Sequence, residues 1–208
     1  MFGFPLIAVP FSFLTLSAWF FGQSEQERLS KYFGRGFLLA IPCLLVHLLL
    51  YGIIPEAPGS LLSLFRIWWE RFFLPSALGI GAYRLLHSFD ETIRPGVPIR
   101  RYAAFLFGYF TLFGVAFTLR SYGSPDPFAL FFFPALSVAS IFLIVYFTDR
   151  IVVETGGYRA LMIAAAVLAS FALAGTAYLF NARLEWLGGI LAMILLAVGV
   201  YLGRFLLK

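Results

Sequence analysis

The sequence predicts an all-α integral membrane protein, a seven-transmembrane-helix bundle with its N-terminus outside and its C-terminus in the cytoplasm. Three observations lead there. Of 208 residues, 62% are hydrophobic and 12% charged, against about 45–50% and about 25% in soluble domains. The apolar residues fall in runs of about 20, the length that crosses a bilayer as a helix. The basic residues gather between alternate runs, the asymmetry that orients membrane proteins.

The first run covers residues 2–22 and opens MFGFPLIAVPFSF. Its first basic residue, Arg28, follows the run, and no small-residue cleavage site stands out, so a retained span is expected in place of a removed signal. Runs at 33–54, 102–119, 127–148, 159–180 and 186–207 qualify equally. Residues 60–87 are harder, because SLLSLFRIWWERFFLPSALGIGAYRLLH carries Arg66, Glu70, Arg71 and Arg84. The alternative is six spans plus an interfacial helix over 60–71, with Trp68 and Trp69 in the aromatic belt.

Charge asymmetry favours spanning. With seven spans, one side holds Arg28, Lys31, Arg35, Arg84, Arg94, Arg100, Arg101, Arg150, Arg159, Arg204 and Lys208, and the other only Arg120 and Arg183. With six, the division degrades to about ten against five, and the rule that cytoplasmic loops are basic is poorly met. Seven spans also give long cytoplasmic loops (QSEQERLSKY, SFDETIRPGVPIRR, TDRIVVETGGY) and short external ones (PEAPGS, SYGSPD, NARLE). Residues 1–208 thus read as a single polytopic domain. The first three and last three spans share proline placement and loop lengths, as internal repeats would. Residue similarity between them is poor, so coincidence of loop lengths is the simpler account.

Polar residues within the spans are few. On the second span Gly36, Ala40, Cys43, His47 and Tyr51 recur at three- or four-residue intervals and share one face. On the third, uniform α-helical arithmetic aligns Gly59, Ser63, Arg66, Glu70, Ala77, Gly81 and Arg84, with Pro75 placed to kink the helix and turn its lower half. These spans are antiparallel neighbours, and His47 falls at a depth between Arg66 and Glu70. An outward-facing polar pocket of His47, Tyr51, Arg66 and Glu70 is therefore the expected ligand-binding site, since ionisable groups in a membrane are costly to place without a use. The competing reading puts 60–71 at the interface, its charges on headgroups. His47 alone reads more readily as a hydrogen-bonded packing residue than as a proton relay.

The sixth span is rich in alanine, and the seventh offers Gly188 with Ala192 and Gly199 with Gly203. Small residues four apart let helix backbones approach closely. These four are expected to pack helices, within one subunit or between copies.

Enzymatic signatures are missing. One cysteine and two histidines, forty residues apart, give no disulfide and no metal site. No GxSxG or HExxH pattern occurs, and Lys208 is terminal, so it cannot form a mid-span Schiff base. Cys43 and His47, one turn apart, are better explained as packing residues than as a thiolate pair. Gly156–Gly157 is a turn signal and no phosphate loop. The net charge of +5 lies in short loops, which excludes nucleic acid as a partner and leaves the mixed-charge loop at 88–101 as a solvated connection. The expectation is a non-enzymatic protein of a prokaryotic cytoplasmic (inner) membrane, with no cofactor or metal. Its partners are membrane lipids and either copies of itself or a larger membrane-protein complex. The leading function is a small-solute transporter or channel. The alternative is an accessory or scaffold subunit, and a lipid-modifying enzyme ranks third. A reporter active only outside the cytoplasm, fused at residue 90, should be inactive. Activity there would overturn the seven-span topology.

Overall fold

The computed structural model describes residues 26–55, 60–88, 99–120 and 133–207. The expected first span at 2–22, Gly59, and the loop residues Asp90, Glu91 and Arg94 lie outside them. Helix is the regular secondary structure of the described residues: α1 (Gln26–Leu50), α2 (Leu61–Ile67), a π-helical segment (Trp68–Phe73), α3 (Leu74–Ser88), α4 (Ile99–Arg120), α5 (Phe133–Val153), α6 (Gly156–Asn181) and α7 (Glu185–Leu207). Four segments, Leu29–Leu50, Leu136–Val153, Gly156–Asn181 and Glu185–Gly203, are long and apolar enough to cross a membrane. Their open faces carry apolar side chains such as Leu38 and Leu45 of α1, Leu168 of α6, and Met193 and Ile194 of α7. Such faces suit contact with acyl chains, and together the helices are those of a membrane protein.

Two helix boundaries depart from the apolar runs. Helix α1 begins at Gln26, absorbing most of the QSEQERLSKY loop, and α5 continues through TDRIVV to Val153. Hydropathy marks where lipid is, whereas a helix continues while its carbonyls find donors. Here the Glu154 N–H still donates to the Arg150 carbonyl at 2.8 Å. The long cytoplasmic loop expected after the fifth span is thus corrected to Glu154 and Thr155 alone. Gly156, at φ +62°, makes the reversal into α6 in a conformation that side chains beyond glycine seldom adopt.

The chain forms two compact units that interleave in sequence, residues 1–46 with 77–137 and residues 47–76 with 138–208. In the first, α1 and α4 cross at paired glycines. A Cβ on Gly36 would run into the Phe105 carbonyl oxygen, and one on Gly108 into that of Phe33. The reciprocal contact brings backbone against backbone, the arrangement small residues permit. Around the crossing α4 is sealed: Ala104, Phe105, Leu106, Phe107 and Tyr109 are fully buried. Tyr109 stacks on Phe113 at 4.7 Å, and Gly79 of α3 makes room for its ring, since a Cβ there would come within 3.0 Å of it. The buried Thr111 hydroxyl donates to the Phe107 carbonyl at 2.7 Å, satisfying a polar group without leaving its own helix.

In the second unit, α6 and α7 form a hairpin, and the π-helical segment docks on α6. Trp68 lies flat on Phe171, centroids 4.4 Å apart at 5°, and its Nε1–H donates to Ser170 Oγ at 2.8 Å. The Ser170 hydroxyl in turn donates to the Val167 carbonyl at 2.7 Å. Gly188, Ala192, Gly199 and Gly203 of α7 are all buried. A Cβ on Gly188 would meet the Phe180 ring of α6 at 2.8 Å. One on Gly199 would meet Ala139 of α5 at 2.7 Å, and one on Gly203 the Phe142 ring of α5 at 2.9 Å. The stripe serves two neighbours in turn, both in the same chain.

Gly108→Ala should lower the stability of the detergent-solubilised protein by about 1–3 kcal/mol, the usual cost of overpacking. Gly34, whose Cβ would meet nothing within 4 Å, should tolerate alanine and gain about 0.5–1 kcal/mol from helix propensity. Thermal unfolding of the two variants compares them directly. Equal stability would remove the crossing as a determinant of the fold.

Candidate functional site

Residues 61–88 run as one helical stretch, but its middle is not α-helical. Between Trp68 and Phe73 the backbone adopts the π form. The Leu74 N–H donates to the Trp69 carbonyl, five residues back. The next π step would serve the Glu70 carbonyl from residue 75, which is proline and has no N–H. His47, in the last turn of α1, supplies the missing donor. Its Nε2 lies 2.8 Å from the Glu70 carbonyl oxygen, and because a carbonyl only accepts, Nε2 carries the proton.

The Glu70 side chain holds a second set of contacts. Its Oε1 accepts from Arg66 Nε at 3.1 Å, one turn earlier. It also accepts from the backbone N–H of Gly52 at 3.1 Å. Gly52 follows the end of α1 at φ +81°, the left-handed step with which helices commonly terminate. Glu70 is 5% exposed and Arg66 16%, so the pair is largely out of solvent, where a charge without a counter-charge would be costly. Tyr51 completes the group, its ring edge-on to the His47 imidazole at 5.8 Å. Thus His47, Tyr51, Arg66 and Glu70 come together at the end of α1 and the π-helical segment.

The lower half of the expected third-span stripe does not follow. Ser63 and Arg66 are half-buried and Glu70 buried, but Ala77, Gly81 and Arg84 are exposed. Leu74, Pro75, Gly79, Ala82 and Tyr83 take the buried positions instead. The π turn takes in an extra residue, and each residue of a 3.6-residue helix is worth about 100° of rotation. Everything after Phe73 is accordingly rephased, and the uniform α-helical alignment of Ala77, Gly81 and Arg84 with Glu70 is corrected.

On the second span, Gly36 and Ala40 are buried and Cys43, His47 and Tyr51 half-buried, while Leu38, Ile41, Leu45 and Leu48 of the same helix are exposed. Cys43 turns to Tyr109 and to the Leu78 carbonyl, 4.0 Å from its sulfur, and the His47 ring is committed to Glu70. Sequence reasoning missed Gly52, whose N–H the carboxylate receives, and Ser170, which anchors Trp68. Nothing local marked either for those roles. Among the described residues no group of three His, Cys, Asp or Glu side chains could hold a metal.

No family model, curated protein or solved structure matches the chain.

Losing the His47 bond strands a carbonyl in a buried segment, so His47→Ala should cost about 1–3 kcal/mol. In a Pro75→Ala background the restored N–H can serve the π-segment carbonyls, and the same substitution should cost about 1 kcal/mol less, the coupling expected of residues sharing a network. A double-mutant cycle by thermal unfolding measures this. Equal costs in both backgrounds would mean that the histidine does not compensate for the proline.

Proposed function

We propose that this protein is a small-solute carrier or channel of the cytoplasmic membrane of a prokaryotic cell, non-catalytic, with seven spans and its N-terminus outside. In this reading the solute binds at His47, Tyr51, Arg66 and Glu70. One observation carries it: a buried carboxylate sits where a helix is interrupted. Interrupted helices supply binding sites in many transporters, because their freed carbonyls and oriented side chains face a cavity, and π segments recur at functional positions. Both described hydrogen bonds to the Glu70 carboxylate fall on Oε1. An ionised carboxylate accepts at two oxygens, so Oε2 is open to a donor on the solute.

The second reading is an accessory or scaffold subunit. It draws on the breadth of apolar surface along α7, where Ile190, Met193, Ile194 and Tyr201 are each more than half exposed and could meet a partner helix as well as lipid.

Reconstitution separates the two. Liposomes holding the purified chain are offered a defined mixture of sugars, amino acids, carboxylates and inorganic ions, and uptake is read by mass spectrometry. At least one solute should enter, and Glu70→Gln should reduce its uptake at least about tenfold, since a hydrogen bond to a charged group contributes about 1.5–3 kcal/mol. No uptake above empty liposomes, with a second membrane protein co-purifying in fixed proportion, would replace the carrier by the subunit.

A further inference from the structure

Hydrogen bonding around Glu70 is lopsided. Helix α1 is 25 residues long and ends at Leu50, and the last four carbonyls of a helix have no partner within it. A left-handed residue that follows commonly turns its N–H back to close the end. Gly52 holds that conformation, but its N–H goes to Glu70 Oε1 instead. Among the described residues no hydrogen bond from beyond α1 reaches the carbonyls of Leu48, Leu49 and Leu50. Glu70 is 5% exposed, and the bonds its carboxylate accepts both fall on Oε1. The donors thus point inward: Gly52 N–H and Arg66 Nε to Oε1, His47 Nε2 to the Glu70 carbonyl. What the group presents outward is a carboxylate oxygen beside a helix end that carries partial negative charge.

We propose that this site binds the ammonium group of a small primary amine, with Glu70 Oε2 as its counter-charge and carbonyls at the end of α1 as its other acceptors. An –NH3+ group has three donors and no acceptor, the complement of one carboxylate oxygen and two carbonyls. Charge-assisted bonds are about twice as strong as neutral ones, so a hydroxyl solute competes poorly. A carboxylate or phosphate on the solute would meet like charge at Oε2. The slight exposure of Glu70 favours a slim terminal ammonium over a quaternary one, which also has no N–H to give. Arg66 leaves room for this second cation. An ionised carboxylate has about four lone-pair sites on its two oxygens, and Arg66 Nε takes one of them, on Oε1. That the amine is carried across the membrane rests on the reading proposed above, whereas its binding rests on the acceptors alone.

The test uses three probes on one two-carbon frame: ethanolamine, ethylene glycol and glycolate, which end in an ammonium, a hydroxyl and a carboxylate. Binding of each isotope-labelled probe to the full chain in mild detergent is read by equilibrium dialysis at neutral pH. Tetraethylammonium chloride holds the ionic strength. Ethanolamine should bind at least about tenfold more tightly than the other two, the margin of a charge-assisted bond. Glu70→Gln should weaken ethanolamine binding at least about tenfold. Glu185→Gln, which alters an exposed carboxylate at the start of α7, should change nothing. Equal binding of the three probes by the native protein would overturn the proposal, and this arm needs no variant to fold. So would ethanolamine binding untouched by Glu70→Gln, or an equal loss in Glu185→Gln. Displacement of ethanolamine by millimolar sodium at constant ionic strength would assign the oxygens to an inorganic cation and overturn the amine. Liposome uptake separates this proposal from the carrier reading. Ethanolamine bound selectively but not taken up would keep the site and remove carriage. Glu70-dependent uptake of a solute without an ammonium group, with no selective ethanolamine binding, would keep carriage and overturn the amine.

Discussion

A buried backbone has no water to fall back on, so each carbonyl and N–H must find its partner within the protein. Pro75 breaks that condition in the middle of a buried helical stretch. The chain meets it with a π-helical register, a histidine from the end of α1 and a carboxylate that closes the end of the same helix. The His47–Glu70 bond is thus the contact on which the local arrangement depends. It ties the end of α1 to the interrupted helix, and the interruption rephases α3. Remove the proline and the carbonyl regains a backbone donor, so the histidine matters less; remove the histidine and the proline's cost is uncompensated.

Close approach of backbones is the second theme, and it works by a different physical route. Lipid is as apolar as leucine, so helices gain little by hiding leucine from it, and contact has to come from packing. Glycine supplies that at Gly36 and Gly108 in one unit and at Gly199 in the other, while Gly188 and Gly203 make room for phenylalanine rings. Bulky aromatics then fill the grooves beside each crossing: Phe105 and Tyr109 around the first, Phe180 and Phe142 along α7. Small and large residues are complementary here, since the same glycine that lets a backbone in leaves a hollow for a ring.

Much of the candidate site could be read from spacing. His47 and Tyr51 are one turn apart, as are Arg66 and Glu70, and antiparallel neighbours of matched depth bring the pairs together. Spacing reached its limit at Trp68. A period of 3.6 residues holds only while the helix keeps one register, and the π segment carries no hydropathy signature because its change lies in the backbone. Ala77, Gly81 and Arg84 were placed on the polar stripe for that reason, and the fold turns them outward. Gly52 and Ser170 were illegible for another reason: each acts on a residue distant in sequence, and neither their own identity nor their neighbours encode the partner.

The sequence by itself determined that this chain belongs in lipid, because 62% hydrophobic residues in long runs admit no other solvent. It also determined which side chains are expensive there, and therefore where to look. The tertiary structure alone decided how those side chains are satisfied: that His47 serves a carbonyl and not a carboxylate, that Glu70 receives Gly52 as well as Arg66, and that α7 divides its glycines between α6 and α5. Composition sets the solvent through a sum over residues. Partner choice depends on backbone register and on contacts between distant segments, and these exist only once the helices have packed.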